Sequence, residues 1–115
     1  MVKRAESFTH AGRGVKIFFA TTHNSWMHIV ALVVAVALGV YFHITQIEWI
    51  AIFIVSGLVF TAEAFNSAIE LDIDLTSPQY HPFARDTKDI AAGAVLISAA
   101  TAFIVGLAIF VPYFL

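Results

Sequence analysis

Cysteine is absent from the 115-residue sequence, which excludes disulfides, thiolate chemistry and any cysteine-ligated metal. Charge is scarce as well: Asp, Glu, Lys and Arg together make up 12% of the chain, against 60% hydrophobic residues. No charged side chain falls between Lys16 and Glu48 or after Asp89. A soluble domain of this length has too little interior to hide so much apolar surface, so the chain belongs in a membrane. An excess of positive charge is also missing. The net charge is -2, and Lys3, Arg4, Arg13, Lys16, Arg85 and Lys88 lie at the ends of apolar runs, which leaves nucleic-acid binding without an electrostatic basis. There is no Gly-rich Walker-type phosphate loop, and His10, His43 and His81 show no ligand spacing that would suggest zinc.

What is present is a sequence of apolar runs. Residues 1–115 form one membrane domain with three spans, at about 26–44, 48–75 and 83–111, and an all-α architecture. Before them, about 3–21, the alternation of Lys and Arg with Phe8, Val15, Ile17, Phe18 and Phe19 predicts an amphipathic helix on the membrane surface. Gly12 and Gly14 weaken that helix and are places where it can break; the plainer alternative is a frayed terminus with anchoring aromatics. A cleavable signal peptide does not fit, because the first long apolar run begins only after residue 25 and no small-residue cleavage pattern follows it. Trp26, Tyr41, Trp49 and Tyr113 have the placement of interfacial belt residues. A short turn at Thr45 and Gln46 joins the first two spans, with Glu48 capping the second near its positive dipole end. Ser77, Pro78 and Pro82 set a loop over 76–82. Ala91 to Ala94, Ser98 to Ala100 and Gly106 are small enough to let helices approach. The distribution of basic residues puts the N-terminus and the 76–82 loop in the cytoplasm.

The second span carries the chemistry. Glu63, Asn66, Glu70 and Asp74 recur at three- and four-residue offsets, which stacks them along one stripe of a helix. An acid in hydrocarbon costs about 2.5 to 3.5 kcal/mol at the bilayer centre, so the stripe requires water, a metal ion or a partner helix. It approaches the same interface as Arg85 to Asp89. Carboxylates beside Lys and Arg suit a Mg-nucleotide, since hard cations take oxygen ligands and phosphates take cationic partners. Intramembrane acids serve proton relays and cation transport equally well, so a small transporter using Glu63 and Glu70 stays open. The plain readings are an interhelical hydrogen bond at Asn66 and a solvated ion pair between Lys88 and Asp89. Glu63 and Glu70 resist such a reading, because neither has a cation in its own helix.

The stretch Glu63-Ala64-Phe65-Asn66-Ser67-Ala68-Ile69-Glu70, followed by Asp74, Ser77-Pro78-Gln79-Tyr80-His81-Pro82 and Lys88-Asp89-Ile90-Ala91-Ala92-Gly93-Ala94-Val95, resembles the prokaryotic diacylglycerol kinase family, which includes the undecaprenol kinases. The resemblance implies a homotrimer of three-span subunits in the bacterial inner membrane. It implies that MgATP phosphorylates a membrane lipid alcohol, diacylglycerol to phosphatidic acid or, alternatively, undecaprenol. By the same resemblance Glu63 is the general base, Glu70 a metal-binding acid, and Asn66, Asp74, Lys88 and Asp89 nucleotide-site residues. A base of this kind gains from partial desolvation, which raises a carboxyl pKa.

In one place the sequence departs from that family. A second metal-binding Glu ordinarily precedes the first span in an E-x-N-x-x-x-H setting. Asn24 and His28 match the setting, while Thr22 takes the acid's place. Threonine offers a neutral oxygen and no charge, so metal affinity or metal count falls unless His23 or Glu6 compensates. A degenerate, non-catalytic member is the corresponding alternative.

Overall fold

The computed structural model describes residues 2–21 and 25–115. Four helices follow in order: α1 (Val2–Thr21), α2 (Ser25–Phe42), α3 (Gln46–Thr76) and α4 (Pro82–Phe114), with no strand among the described residues. The last three are long and apolar enough to cross a membrane. At 1.5 Å per residue α2 is about 27 Å long, close to the roughly 30 Å of a bilayer's hydrocarbon, whereas α3 and α4 reach about 46 and 50 Å. They outrun the hydrocarbon because nothing in their middles breaks a helix; Pro78 and Pro82 act only at the turn between them. Counting about 20 residues along α3 from its start reaches the far boundary close to Asn66. Glu70, Asp72 and Asp74 then lie beyond it, where their charge is not held in hydrocarbon.

The α2–α3 turn falls at residues 43–45, earlier than the Thr45 and Gln46 expected from the sequence. His43 takes a left-handed conformation with φ of 53°. Its N–H donates to the Val40 carbonyl at 3.4 Å, and the Ile44 N–H donates to the Gly39 carbonyl at 3.2 Å. These are the two bonds of a Schellman close, which satisfy carbonyls left over at a helix C-terminus. Thr45 then caps α3 at once: its hydroxyl accepts from the Glu48 N–H at 3.2 Å, and the Thr45 N–H donates to Glu48 Oε1 at 2.9 Å. Because the T-x-x-E pair is a capping box, Gln46 is already helical and not part of the turn.

Packing is concentrated at this end. Ile44, Ile52, Ile109 and Phe110 form a buried cluster, with Trp49, Phe42 and Tyr113 against it. Gly39 is buried where a side chain has no room, since a Cβ there would lie 2.6 and 2.8 Å from the Trp49 ring and 3.0 Å from Ile44. Trp49 and Tyr113 are therefore packing residues, while Trp26 and Tyr41 remain exposed as belt residues do. Farther along, α3 and α4 stay in contact, and Val59 of α3 and Ala91 and Ser98 of α4 are buried. The small residues of α4 do not all serve that contact. Ala92, Ala94 and Ala100 are exposed, and a Cβ on Gly93 or Gly106 would meet nothing within 4 Å. A straight helix turns only every third or fourth residue toward one neighbour.

Helix α1 runs unbroken through Gly12 and Gly14. From Lys3 to Thr21 every side chain is exposed except Phe18. Its end meets the bundle at Phe19, whose ring lies 5.8 Å from that of Phe60 on α3.

Candidate active site

Glu63 is buried on the face of α3 that turns toward α2, and His28 of α2 reaches it: Nε2 lies 2.8 Å from Glu63 Oε1. The second carboxyl oxygen, Oε2, is buried with no hydrogen-bond partner among the described residues. Burial of an unpaired carboxylate oxygen is costly, so such an atom marks a place for an incoming donor. One turn on, Asn66 Nδ2 donates to Glu70 Oε1 at 3.5 Å, and Asn66 Oδ1 is likewise buried without a partner among the described residues. Two acceptors therefore face the same stretch unfilled.

Beyond Asn66 the acids of the helix, Glu70, Asp72 and Asp74, are exposed. Asp74 Oδ1 accepts from Lys88 Nζ at 2.7 Å, which joins α3 to α4 across the intervening turn. That turn is held by the Ser77 N–H donating to Ile73 at 2.8 Å, and by His81, whose Nδ1 accepts from the Phe83 N–H at 3.1 Å with Pro82 opening α4. Asp89 pairs with Arg85 one turn back, at 3.8 Å and fully in the open. The pairing of Lys88 with Asp89 entertained from the sequence is thus replaced by two others, because residues adjacent along a helix point in different directions.

The acidic stripe divides accordingly. Glu63 faces the protein interior beside His28, Glu70 and Asn66 form a polar step at the boundary, and Asp74 with Lys88 forms the outermost pair. Asp89 stands apart with Arg85. Thr22, His23 and Asn24 lie outside the described residues; Glu6 is exposed on α1. Among the described residues no three His, Asp or Glu side chains gather closely enough to hold a metal ion. Glu70 with the unfilled Asn66 Oδ1 nevertheless suits a Mg2+ carried in by a nucleotide, since that ion usually binds through one or two carboxylates plus substrate phosphates and waters.

A groove of about 750 Å³ opens between α2, α3 and α4, with His28 at one end and Phe114 at the other. Its walls are almost wholly apolar, including Leu32, Ala35, Val59, Phe103 and Phe110. The contact between His28 and Glu63 was not visible from the sequence, although an acid without a cation in its own helix signals that another helix supplies the partner.

Three helices long and apolar enough to cross a membrane, with a buried carboxylate, an apolar groove and an exposed charged rim at one end, make up an integral-membrane protein. Residues 9–110 match the model of the prokaryotic diacylglycerol kinase family. The chain is 40% identical over 107 residues to an undecaprenol kinase of Bacillus subtilis, covering 93% of this chain and 87% of that protein. It is 38% identical over 107 residues to a diacylglycerol kinase of a Synechocystis species, covering 92% of this chain and 61% of that one. A diacylglycerol kinase of Helicobacter pylori is 29% identical over 84 residues, 73% of this chain and 66% of its own length. The chain belongs to the prokaryotic diacylglycerol kinase family: it is a multi-pass membrane lipid kinase, with ATP as co-substrate.

Proposed function

We propose that the enzyme transfers the γ-phosphoryl group of ATP to the hydroxyl of a membrane lipid alcohol, with Glu63 as general base. The observation that carries this reading is the buried, unpartnered Oε2 of Glu63, whose other oxygen lies 2.8 Å from His28, a residue lining the apolar groove. A lipid lying with its chain along the groove presents its hydroxyl to that oxygen. The hydroxyl proton passes to Oε2 as the lipid oxygen bonds to the γ-phosphorus and the bond from that phosphorus to the bridging oxygen breaks, with ADP as the leaving group. Lys88 neutralises phosphate charge once it exchanges Asp74 for the nucleotide, and Asp74, Asn66 and Asp89 border the nucleotide site. Glu70, with Asn66 Oδ1, would hold a Mg2+ accompanying ATP, and that ion would supply charge neutralisation on the phosphates. Phosphoryl transfer asks the protein chiefly for alignment and electrostatics, which this set of groups provides.

Diacylglycerol is the acceptor that the family name suggests. A second reading, undecaprenol, is favoured by the higher identity and fuller mutual coverage with the B. subtilis kinase. The working protein is a homotrimer in the bacterial inner membrane, and the extensive exposed apolar surface of α2, α3 and α4 supports burial against lipid and other subunits. Basic residues at the N-terminus and after the 77–81 turn support a cytoplasmic placement for both.

The test is transfer of labelled γ-phosphate from MgATP, by purified protein in lipid, to diacylglycerol and to undecaprenol offered separately, with Glu63→Gln as control. Product on one lipid, lost in the variant with ATP binding retained, is expected. No product on either lipid, with ATP still bound, would leave a non-catalytic protein in which Thr22 marks the lost acid.

A further inference from the structure

We infer that His28 is a positioning residue for phosphoryl transfer: it holds one oxygen of Glu63 so that the other faces the lipid hydroxyl. This rests on the reading of Glu63 as the base. A carboxylate on a flexible side chain can turn about its last bond, and a hydrogen bond to either of its two equivalent oxygens fixes the plane of the group and with it the direction of the other oxygen. His28 Nε2, carrying its proton, donates to Oε1 at 2.8 Å, while Oε2 is buried without a partner among the described residues.

The imidazole is itself held in place. Its ring stands edge-on to Phe60, centroids 6.5 Å apart at 78°, and Phe60 lies one turn before Glu63 on the same face of α3. Phe60 is in turn packed by Phe19 at the end of α1. The orientation of the base is thus set by a row of rings drawn from α1, α3 and α2. His28 also lines the apolar groove, so the residue that orients the acid is a wall of the space where the lipid chain enters.

The geometry dictates the test, because the amide nitrogen of Gln superposes on imidazole Nε2 and that of Asn on Nδ1. His28→Gln keeps a donor at the required reach, and His28→Asn places it too short. Both variants, with Glu63→Gln alongside, are assayed in lipid for kcat and for the KM of ATP, and their thermal unfolding is followed. His28→Asn should lose about 100-fold in kcat, the scale of a misplacement near 1 Å, with the KM for ATP unchanged. His28→Gln should recover most of that loss at the same unfolding midpoint as His28→Asn. If His28→Asn retains full kcat while Glu63→Gln is inactive, the positioning role is wrong and Glu63 remains the base. If Glu63→Gln itself turns over normally, the base assignment fails and the inference fails with it. Equal losses in both His28 variants, tracking a common fall in unfolding midpoint, would reduce the pair to a structural contact.

Discussion

Lys88 Nζ and Asp74 Oδ1 are 2.7 Å apart, a single hydrogen-bonded ion pair spanning the turn between α3 and α4. Both side chains are accessible to water, where such pairs contribute little to stability. The lysine is therefore neutralised by a partner that it can release cheaply, and a nucleotide phosphate is a stronger partner than one carboxylate.

Replacing Lys88 by Gln should lower kcat/KM for ATP by about 100-fold, the cost of losing one charged donor to a transferring group, with little change in unfolding temperature. Asp74→Asn should cost less, because it leaves the cation in place. Steady-state kinetics over a range of ATP concentrations decides; equal effects of the two substitutions would place both residues outside the phosphate contact.

Glu70→Gln should raise the Mg2+ concentration needed for half-maximal activity by about 10- to 100-fold, as when a group supporting a metal site is lost. Titrating Mg2+ at fixed ATP measures it. The neutral neighbour Asn66 cannot replace the charge, so added Mg2+ should restore much of the rate. A variant with an unaltered Mg2+ requirement would remove Glu70 from the metal.

At the opposite end, Gly39→Ala should destabilise by about 1 to 3 kcal/mol, the usual penalty for an added methyl group in a filled site. The methyl would drive into Trp49. Adding Trp49→Leu should recover part of the loss, so a double-mutant cycle on unfolding should show coupling between the two positions. Additive effects would mean that the ring moves aside freely.

Thr45→Ala should cost about 1 kcal/mol through loss of the helix cap. Tyr113 adds a tie to the same box: its hydroxyl donates to Glu48 Oε1 at 2.5 Å, fastening the end of α4 to the start of α3. Tyr113→Phe should therefore also lower the unfolding temperature while leaving the KM for ATP as it was, since the contact lies far from Glu63. A changed KM would show that the two ends communicate.

Much of this architecture can be read from residue order. The acid stripe is visible because Glu63, Asn66, Glu70 and Asp74 follow the helical period, and the spans are visible because charge stops at Lys16 and Asp89. The capping role of Glu48 follows from its place near the start of the second span, at the positive end of the helix dipole, while its pairing with Thr45 emerges only in the fold. The partners across helices are a different matter. His28 with Glu63, Lys88 with Asp74 and Tyr113 with Glu48 each join separate helices, and their meeting depends on helix rotation, which local spacing does not encode. The same holds for Gly39. A lone glycine among aliphatics looks like any other until Trp49 is seen to lie on it, whereas Gly93 and Gly106, in a conspicuously small-residue stretch, have open space beside them.

Helix α3 starts at a rigid capped turn and carries Glu63 about 26 Å farther on, by its rise per residue. That makes it a depth gauge. With the turn seated at one face of the bilayer, the height of the acid at the other face is set by how thick the membrane is. A thicker bilayer draws Glu63 deeper beneath the headgroups, and a thinner one lifts it toward water. Tilting can absorb part of the difference, but at a cost that grows with the mismatch. The lipid around this kinase is thus both its solvent and the standard against which the position of Glu63 is measured.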